Sequence, residues 1–233
     1  MTAVVRLENV VKHYHRGGET IHAVEHVTLD IEAGEFAALV GPSGSGKTTT
    51  LNLIGALDVP DSGVIRVEGR SLHELSKMQQ AHLRRDRIGF VFQAYNLIPV
   101  LTAYENAEFV LALQGRPERE RRDRVMEVLE AVGLKAQADR RPDELSGGQQ
   151  QRIAIARAIA PEPAIVLADE PTANVDSETA ESLLDLMEAL NRERGATFLF
   201  STHAERVMRR ARRIIRMLDG RIEADERKDE SAE

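Results

Sequence analysis

Along the chain, short apolar runs rich in β-branched residues alternate with longer stretches whose apolar residues recur at helical spacing. The runs predict strands at residues 4–11, 26–31, 36–41, 63–69, 88–93, 164–170 and 197–203. Those beginning at 36, 164 and 197 are apolar almost throughout, which is typical of strands that a parallel sheet buries on both faces. This order predicts an α/β fold with a central parallel sheet, and the two earliest runs predict an N-terminal β region.

Helical periodicity dominates between Pro99 and Pro161. Thr102 followed by Glu105 has the spacing of a capping box at a helix start. Apolar residues then recur at i, i+3, i+4 and i+7, at Val125, Val128, Leu129 and Val132. This spacing predicts an amphipathic helix that packs on one side. We therefore predict a helical subdomain at about 99–161, inserted into the sheet domain.

Further patterns complete the predicted layout. A helix is expected to begin near Ser76, and a second apolar stripe predicts a helix that covers the sheet, at Leu183, Leu184, Met187 and Leu190. The stretch 224–233 is charged and lacks an apolar face, so we predict a disordered tail there. A single domain is expected to span 1–223.

Composition fits a folded domain and narrows the function. Hydrophobic residues make up 42% of the 233 and charged residues 30%. The absence of cysteine excludes disulfides and cysteine-ligated metals. The formal net charge of -7 argues against nucleic acid as a partner, and the arginine-rich stretches 84–87, 119–124 and 209–213 fit solvated helix faces. No apolar run of about 18 residues could span a membrane, and no signal peptide is expected.

The clearest chemical pattern is GPSGSGKT, from Gly41 to Thr48, which follows an apolar strand and has the spacing of a phosphate loop. Its glycines let the backbone curl so that N–H groups point at phosphates, and the next helix adds its N-terminal dipole. Lys47 is expected to reach the β- and γ-phosphates, and the Thr48 hydroxyl to bind Mg²⁺. The predicted nucleotide contacts of the loop are Gly41, Ser43, Gly44, Ser45, Gly46, Lys47, Thr48 and Thr49.

Two carboxylates, Asp169 and Glu170, end the apolar run that begins at Ala164. The carboxyl end of a parallel strand is where open α/β sheets bind ligands. Asp169 is therefore expected near Mg²⁺, and Glu170 is expected to act as general base on a water in line with the γ-phosphate. Without an N-K-x-D segment a GTPase is not indicated, but a small-molecule kinase stays open on these two motifs alone.

A third motif, LSGGQQQR from Leu145 to Arg152, resembles the signature sequence of ABC ATPases. Ser146, Gly147 and Gly148 are expected to precede a helix N-terminus, an arrangement that binds anions. The resemblance implies that these residues and Gln149 face the γ-phosphate of an ATP held by a second copy of the chain. It also implies a P-loop NTPase (RecA-like) core with an antiparallel N-terminal β region.

Further residues take roles from this resemblance, one at a time. Tyr14 looks like the aromatic that stacks on adenine, and Gln93 like the glutamine that touches Mg²⁺ and the attacking water. Asp176 resembles the aspartate that crosses the dimer interface, and His203 the switch histidine that contacts the γ-phosphate. The segment ANVD around Asp176, and Ala204 after the histidine, depart from common family patterns without removing a catalytic group, so active hydrolysis is expected.

Within the family, FQAYNLIPVLTAYEN and ELSGGQQQRIAIARAI look like the macrolide-exporter and lipoprotein-release (MacB/LolD-type) group. This implies an FtsX-like membrane permease, docked near 84–87 and 95–101, a periplasmic adaptor as a further candidate partner, and a place at the cytoplasmic face of the inner membrane. Two alternatives stay open. One is an FtsE-like regulatory ATPase that signals across the membrane. The other is a soluble ABC ATPase of DNA repair or translation, which usually carries two cassettes or a long insertion.

Overall fold

The computed structural model describes residues 3–228, and within them ten strands and seven α-helices follow one another along the chain. The strands are β1 Ala3–Arg16, β2 Glu19–Glu32, β3 Phe36–Val40, β4 Ser62–Val67, β5 Arg70–Ser71, β6 Ile88–Val91, β7 Ile165–Asp169, β8 Phe198–Thr202, β9 Arg213–Leu218 and β10 Arg221–Arg227. The α-helices are α1 Lys47–Ile54, α2 Lys77–Arg87, α3 Ala103–Leu113, α4 Glu118–Ala131, α5 Gly147–Ile159, α6 Ser177–Arg194 and α7 Glu205–Arg210. Short 3₁₀ turns occur at Leu72–Glu74, Lys135–Gln137 and Pro142–Glu144.

The central sheet has six strands in the order β10-β9-β3-β8-β7-β6. Its strands run parallel from β9 to β6, while β10 pairs antiparallel with β9. Phe36, Phe198 and Phe200 pack on one face, and Leu39 and Leu199 on the other. Because both faces are covered, the strands carry the unbroken apolar runs seen in the sequence. The parallel sheet is confirmed, and the carboxyl ends of β3, β7 and β8 meet at one edge.

A second sheet, in the order β2-β1-β4-β5, is antiparallel throughout, as expected for the N-terminal region. Its inward residues, such as Leu7 and Val24, belong to the same apolar cluster as Leu51 and Ile54 of α1. Helix α1 therefore packs in the core that joins the two sheets. The structure in this way fixes the position of the segment that directly follows the phosphate loop.

Helices α3, α4 and α5 lie in the chain between β6 and β7, where the sequence predicts helices. The capping box is confirmed, since Thr102 Oγ1 accepts from Glu105 N at 3.2 Å and Glu105 Oε2 accepts from Thr102 N at 2.8 Å. The predicted stripe from Val125 to Val132 is buried in one cluster with Phe36 of the sheet. The limits 99–161 and 1–223 remain predictions.

The C-terminal part of the chain departs from the sequence prediction. β9 and β10 were not expected, and residues 224–227, predicted to be disordered, pair with β9. Arg213 belongs to an arginine-rich stretch predicted to be a solvated helix face, yet it is a buried strand residue. Residues 229–233, the remainder of the predicted tail, lie outside the described residues.

Distant partners explain the error at Arg213. Its guanidinium donates to both carboxylate oxygens of Asp225, at 2.8 and 2.7 Å, and to Glu35 at 2.8 Å. The hydrogen bonds to Asp225 are the main cause that raises the pKa of Arg213. A buried charge is tolerated when it is paired in this way, and local sequence does not reveal such partners. Over residues 3–228, no helix has the length and apolar character needed to cross a bilayer.

Candidate functional site

The loop from Gly41 to Gly46 joins β3 to α1 and is pressed between two other strands. A Cβ placed on Gly41 would lie 2.1 Å from the carbonyl oxygen of Met217 in β9. A Cβ on Gly46 would lie 2.2 Å from the carbonyl oxygen of Ala23 in β2, and Gly46 has φ +99°. Only glycine fits at both positions. The tip of the loop, including Ser43 and Gly44, is exposed, while Ser45 is buried.

Lys47 is the first residue of α1, and its side chain folds back over the loop. Its Nζ donates to the carbonyl oxygens of Gly41 and Pro42, at 2.8 Å each. Burial lowers the pKa of Lys47, while the negative charges of Glu170 and Asp169 oppose that shift. The loop therefore holds a cation whose hydrogen bonds go to backbone carbonyls and whose nearby charges are two carboxylates.

Thr48 and Asp169 meet at the sheet edge although they lie far apart in sequence. The hydroxyl of Thr48 donates to Oδ1 of Asp169 at 3.1 Å. Thr48 belongs to the first turn of α1, and Asp169 ends β7. An alcohol and a carboxylate oxygen side by side are donors of the type that Mg²⁺ prefers. The structure thus brings together two of the three predicted metal-binding residues.

Glu170 follows Asp169 in a left-handed backbone conformation, with φ 45°. Such a conformation costs about 1–3 kcal/mol for a non-glycine residue and tends to occur at functional sites. Its backbone N–H donates to Ser201 O at 2.8 Å, which fixes it against β8. The carboxylate accepts from the Thr202 hydroxyl at 2.9 Å, and its Oε1 lies 2.5 Å from Nδ1 of His203. The predicted base and the predicted switch histidine are therefore in direct contact.

Gln93 contacts the segment after β7. Its Nε2 donates to Oδ1 of Asn174 at 3.3 Å, and Nδ2 of Asn174 donates back to the backbone oxygen of Gln93 at 3.0 Å. The hydroxyl of Tyr95 donates to the backbone oxygen of Asn174 at 3.0 Å. The side chain of Gln93 is thus hydrogen-bonded to Asn174.

Ser146 is the N-cap of α5, and Gly147 and Gly148 form the first turn of that helix instead of preceding it. The capping is reciprocal: Gln149 N donates to Ser146 Oγ at 3.3 Å, and Ser146 N donates to Gln149 Oε1 at 3.0 Å. A Cβ on Gly148 would lie 2.3 Å from Cγ2 of Thr179. Gly148 therefore lets α5 approach the start of α6 closely, while a Cβ on Gly147 would lie 2.8 Å from the Tyr95 hydroxyl oxygen.

Asp176 caps α6 next to that contact. One carboxylate oxygen accepts from Thr179 N at 2.9 Å, and the other from the Thr179 hydroxyl at 2.6 Å. The hydroxyl bond is the main cause that lowers the pKa of Asp176. The residues predicted to face a second copy, Ser146 and Asp176, thus cap two helices that Gly148 and Thr179 bring together.

Tyr14 lies in β1 beside the start of α1. Its hydroxyl donates to Oδ2 of Asp58 at 2.6 Å, and Nζ of Lys12 lies 5.1 Å from the ring centroid. Burial is the main cause that raises the pKa of Tyr14, and a hydrogen bond with Thr49 has the opposite effect. The residue is 36% exposed. An aromatic ring is thus held partly exposed next to the predicted phosphate contact Thr49.

Comparison with known proteins places this geometry in a family. The sequence profile described as "ABC transporter" matches residues 24–173. An uncharacterised ABC transporter ATP-binding protein of Methanocaldococcus jannaschii is 46% identical over 228 residues, which cover 96% of this chain and 97% of the relative. The chain belongs to the ABC transporter family. It is an ATPase of that family, as the phosphate loop and signature motif indicate.

Other relatives of this ABC ATPase include the lipoprotein-releasing system ATP-binding protein LolD 1 of Rhodopseudomonas palustris, 44% identical across 95% of this chain and 99% of the relative. The macrolide export ATP-binding/permease protein MacB of Brucella abortus is 45% identical, but the chain spans only 34% of its length. A dimeric structure of a post-hydrolysis ATP-binding cassette bound to ADP and Pi has a TM-score of 0.88 at 45% identity, covering 97% of this chain and 99% of that one.

Several residues that organise the site of this ABC ATPase were not expected from the sequence. Asn174 binds Gln93, Thr179 binds Asp176, and Thr202 binds Glu170. Asn174 lies inside the ANVD segment and Thr202 directly precedes the predicted switch histidine. Their closeness to predicted residues was therefore available as a signal. Their partners were not, because Thr202 and Glu170 are 32 residues apart and Asn174 and Gln93 are 81 apart.

Proposed function

We propose that two copies of this ABC ATPase associate head to tail around two ATP molecules and drive a membrane permease of the lipoprotein-release or macrolide-export type. The proposed hydrolysis of ATP is supported by the cluster at one sheet edge, where Thr48 contacts Asp169 and Glu170 contacts His203. The family supports the transporter part, since relatives include LolD and MacB proteins.

Binding of the nucleotide falls in this proposal to residues of the phosphate loop and β1. The backbone from Gly41 to Gly46 and the N-terminus of α1 supply N–H groups for the phosphates, and Lys47 supplies a positive charge. Tyr14 stacks on the adenine, because its ring is partly exposed beside α1. The close approach of other strands to Gly41 and Gly46 keeps this backbone in place.

The donor set at the sheet edge fits Mg²⁺. Thr48 and Asp169 offer adjacent oxygens, and Gln93 would join them after exchanging its contact with Asn174. When bound, Mg²⁺ neutralises charge that develops on the β- and γ-phosphates. The chain's own residues position the metal through the fixed ends of β7 and α1.

Glu170 is the proposed general base. Its carboxylate is ordered by the Thr202 hydroxyl and by the ring and backbone N–H of His203, and rotation of the ring would free a lone pair of Oε1 to accept a proton from water. His203 is 70% exposed at its side chain and can rotate without breaking the core. In this proposal it then turns toward the γ-phosphate, and Glu170 takes the proton.

The second copy supplies the other half of each site. Ser146, Gly147, Gly148 and Gln149 form the exposed or half-exposed start of α5, where a helix N-terminus can receive an anion. Asp176 lies at the neighbouring helix start and is proposed to cross the interface. The cassette of the similar solved structure is described as dimeric, which supports this arrangement.

The test of the chemistry is Glu170→Gln, a substitution that keeps the shape of the side chain. We expect hydrolysis to fall about 10²- to 10⁴-fold, the range for losing a general base. ATP binding should persist, and dimers of the variant should accumulate in the presence of ATP, as measured by size-exclusion chromatography. Glu205→Gln is the matched control, since Glu205 is an exposed glutamate in α7. Equal hydrolysis by Glu170→Gln and the parent would contradict the assignment.

The permease is proposed to insert a cytoplasmic helix into a groove of about 460 Å³ between α2, β6, α3 and α5. Both predicted docking segments border it, through Arg84 and Ile98, and Leu57 and Phe109 add exposed apolar surface. Such a patch on a folded domain is typical of an interaction site. The MacB relative is an ATP-binding/permease protein, which supports a permease as occupant.

Affinity purification from membranes tests this docking. We expect an FtsX-like permease to remain bound, and Phe109→Asp to lose it while basal ATP hydrolysis persists. Recovery of ribosomes or DNA instead would support the alternative of a soluble ABC ATPase. A permease that signals without moving substrate would support the FtsE-like alternative. In this proposal the ATPase lies at the cytoplasmic face of the inner membrane, and a periplasmic adaptor is a further candidate partner.

A further inference from the structure

Three side chains that commonly bind metals meet on the β1–β2 hairpin. Nδ1 of His22 lies 2.9 Å from Oε1 of Glu25, and Nε2 of His13 contacts the same oxygen. One potential ligand atom from each residue lies within 4.8 Å of the other two. The imidazole rings of His13 and His22 pack edge to face, with centroids 4.4 Å apart. None of these residues takes part in the proposed hydrolysis of ATP.

A β-bulge creates the cluster. Lys12 pairs with Val24 but His13 pairs with His22, so Ala23 is an extra residue on β2. A bulge of this kind re-aims side chains and is common next to functional sites. Here it leaves His22 and Glu25 both directed at the cross-strand His13.

The backbone of this bulge is held by the phosphate loop and by the turn between β9 and β10. Glu25 N donates to Gly220 O at 2.8 Å, and Gly220 N donates to Ser45 O at 3.2 Å. The carbonyl of Ala23 faces Gly46 so closely that a Cβ there would lie 2.2 Å away. The cluster is therefore built on fixed backbone, which a precise metal site needs.

The donors determine the class of ion. Two imidazole nitrogens and one carboxylate oxygen suit Zn²⁺ and similar divalent transition metals, whereas Mg²⁺ and Ca²⁺ prefer oxygen ligands. Bond lengths of about 2.0–2.2 Å in a tetrahedral site place neighbouring donors about 3.4 Å apart. From donors already within 4.8 Å of one another, side-chain rotation alone can reach that spacing.

The charges around the cluster also admit a cation. Asp219 and Glu223 line the open cleft that His22 and Glu25 border. The positive charge of Arg221 counteracts these carboxylates, since its Nη2 lies 4.0 Å from Oε2 of Glu25. The Arg221 side chain is largely exposed, however, and can move into solvent. We propose that His13, His22 and Glu25 form a binding site for a divalent transition metal of the Zn²⁺ class, with water completing the coordination.

The test uses tag-free, nucleotide-free full-length chain, with Zn²⁺ titrated against a chromophoric chelator and Co²⁺ as a spectroscopic probe. We expect binding of Zn²⁺ and the visible absorption of tetrahedral Co²⁺. His13→Ala and His22→Ala should each weaken Zn²⁺ binding by at least about tenfold. His15→Ala is the matched control, because His15 lies on the same hairpin and contacts Thr20. Unchanged Zn²⁺ affinity in His13→Ala or His22→Ala would overturn the site, leaving Glu25 as a hydrogen-bond bridge between two histidines.

A second variant tests the role of Glu25 without removing a ligand. Arg221→Gln deletes the positive charge next to the carboxylate, so Zn²⁺ affinity should rise by about two- to tenfold at low ionic strength and less at high salt. Affinity that falls in Arg221→Gln would contradict Glu25 as a ligand. Thermal unfolding of each variant without metal shows whether the hairpin remains folded. Because no nucleotide is present, failure here leaves the proposed ATP hydrolysis untouched.

Discussion

At the phosphate-loop edge, side chains reach one another across long stretches of sequence. Thr48 binds Asp169, 121 residues on, and Glu170 contacts His203, 33 residues on. At the signature turn, Ser146 instead exchanges hydrogen bonds with Gln149, three residues on. Lys47 at the first region is buried, whereas Ser146 at the second is exposed.

The difference indicates what each region still needs. Folding of one chain assembles the phosphate-loop edge, because the ends of β3, β7 and β8 position its residues. The signature turn is preformed by its own capping box, and its helix N-terminus is directed outward, where an anion from elsewhere could bind. The phosphate-loop edge thus resembles a complete half-site. The signature turn resembles a surface that another half-site would contact.

The largest expected effect comes from separating these halves onto different copies. Lys47→Ala and Ser146→Arg should each lower ATP hydrolysis by about 10²-fold or more. The first substitution removes a charge contact with the phosphates, and the second blocks the anion site at the start of α5. Equal mixtures of the two variants should recover up to about a quarter of the parent rate, since half of random dimers are mixed and each has one intact pair. Steady-state phosphate release measures this recovery.

A mixture of Lys47→Ala with Glu170→Gln is the matched control. Lys47 and Glu170 serve the same phosphate-loop edge, and the negative charge of Glu170 already acts on Lys47 within one chain. Neither site of a mixed dimer would then be intact, so we expect no recovery. Recovery in this control, or none in the Lys47 and Ser146 mixture, would contradict shared sites.

A smaller effect is expected from adding a methyl group where α5 and α6 are in close contact. In Gly148→Ala the new methyl group meets Cγ2 of Thr179, a stiff β-branched side chain, at 2.3 Å. Overpacking of this kind costs about 1–3 kcal/mol, reduced by at most about 1 kcal/mol from the higher helix propensity of alanine. Urea denaturation measures the loss of unfolding free energy.

Thr179→Ser supplies the matching rescue. Serine keeps the hydroxyl that donates to Asp176 and removes Cγ2. Gly148→Ala should therefore be neutral or stabilising when made in the Thr179→Ser background. A double-mutant cycle isolates this coupling. An equal cost of Gly148→Ala in both backgrounds would show that the close contact with Thr179 does not set its stability.

The sequence was informative where local pattern and structure agree. Strands β3, β7 and β8 are apolar because they are buried on both faces. Thr102 caps the start of α3 through a contact with a residue only three positions further along the chain. The predicted residues Lys47, Thr48 and Asp169 lie together because a phosphate loop and the end of a parallel strand share one sheet edge. Periodicity and spacing record all of these features.

Other features depend on partners far away in the chain, which no local pattern contains. Arg213 looks like part of a helix face until its ion pairs with Glu35 and Asp225 are seen. The contact of Gln93 with Asn174 and that of Glu170 with His203 are likewise set by tertiary structure. The cluster of His13, His22 and Glu25, the proposed metal site, arises from a one-residue bulge, which the alternating pattern of β1 and β2 does not reveal.

The smallest expected effect concerns Asp176, on the signature side of the comparison. Hydrogen bonds from Thr179 lower its pKa, so ionised Asp176 stabilises the start of α6. Its contribution is complete above the ordinary aspartate pKa and is lost as the pH falls through the lower folded value. Asp176→Asn can still cap the helix but has no charge for the helix dipole, so its Tm should be slightly below that of the parent near about pH 7. The gap should begin to close as the pH falls below the ordinary aspartate pKa of about 4 and should close fully as the pH falls through the lower folded value. Circular dichroism of nucleotide-free protein measures this, with Asp123→Asn, an exposed aspartate of α4, as control. A gap that widens on acidification would mean that the Asp176 charge does not stabilise the fold.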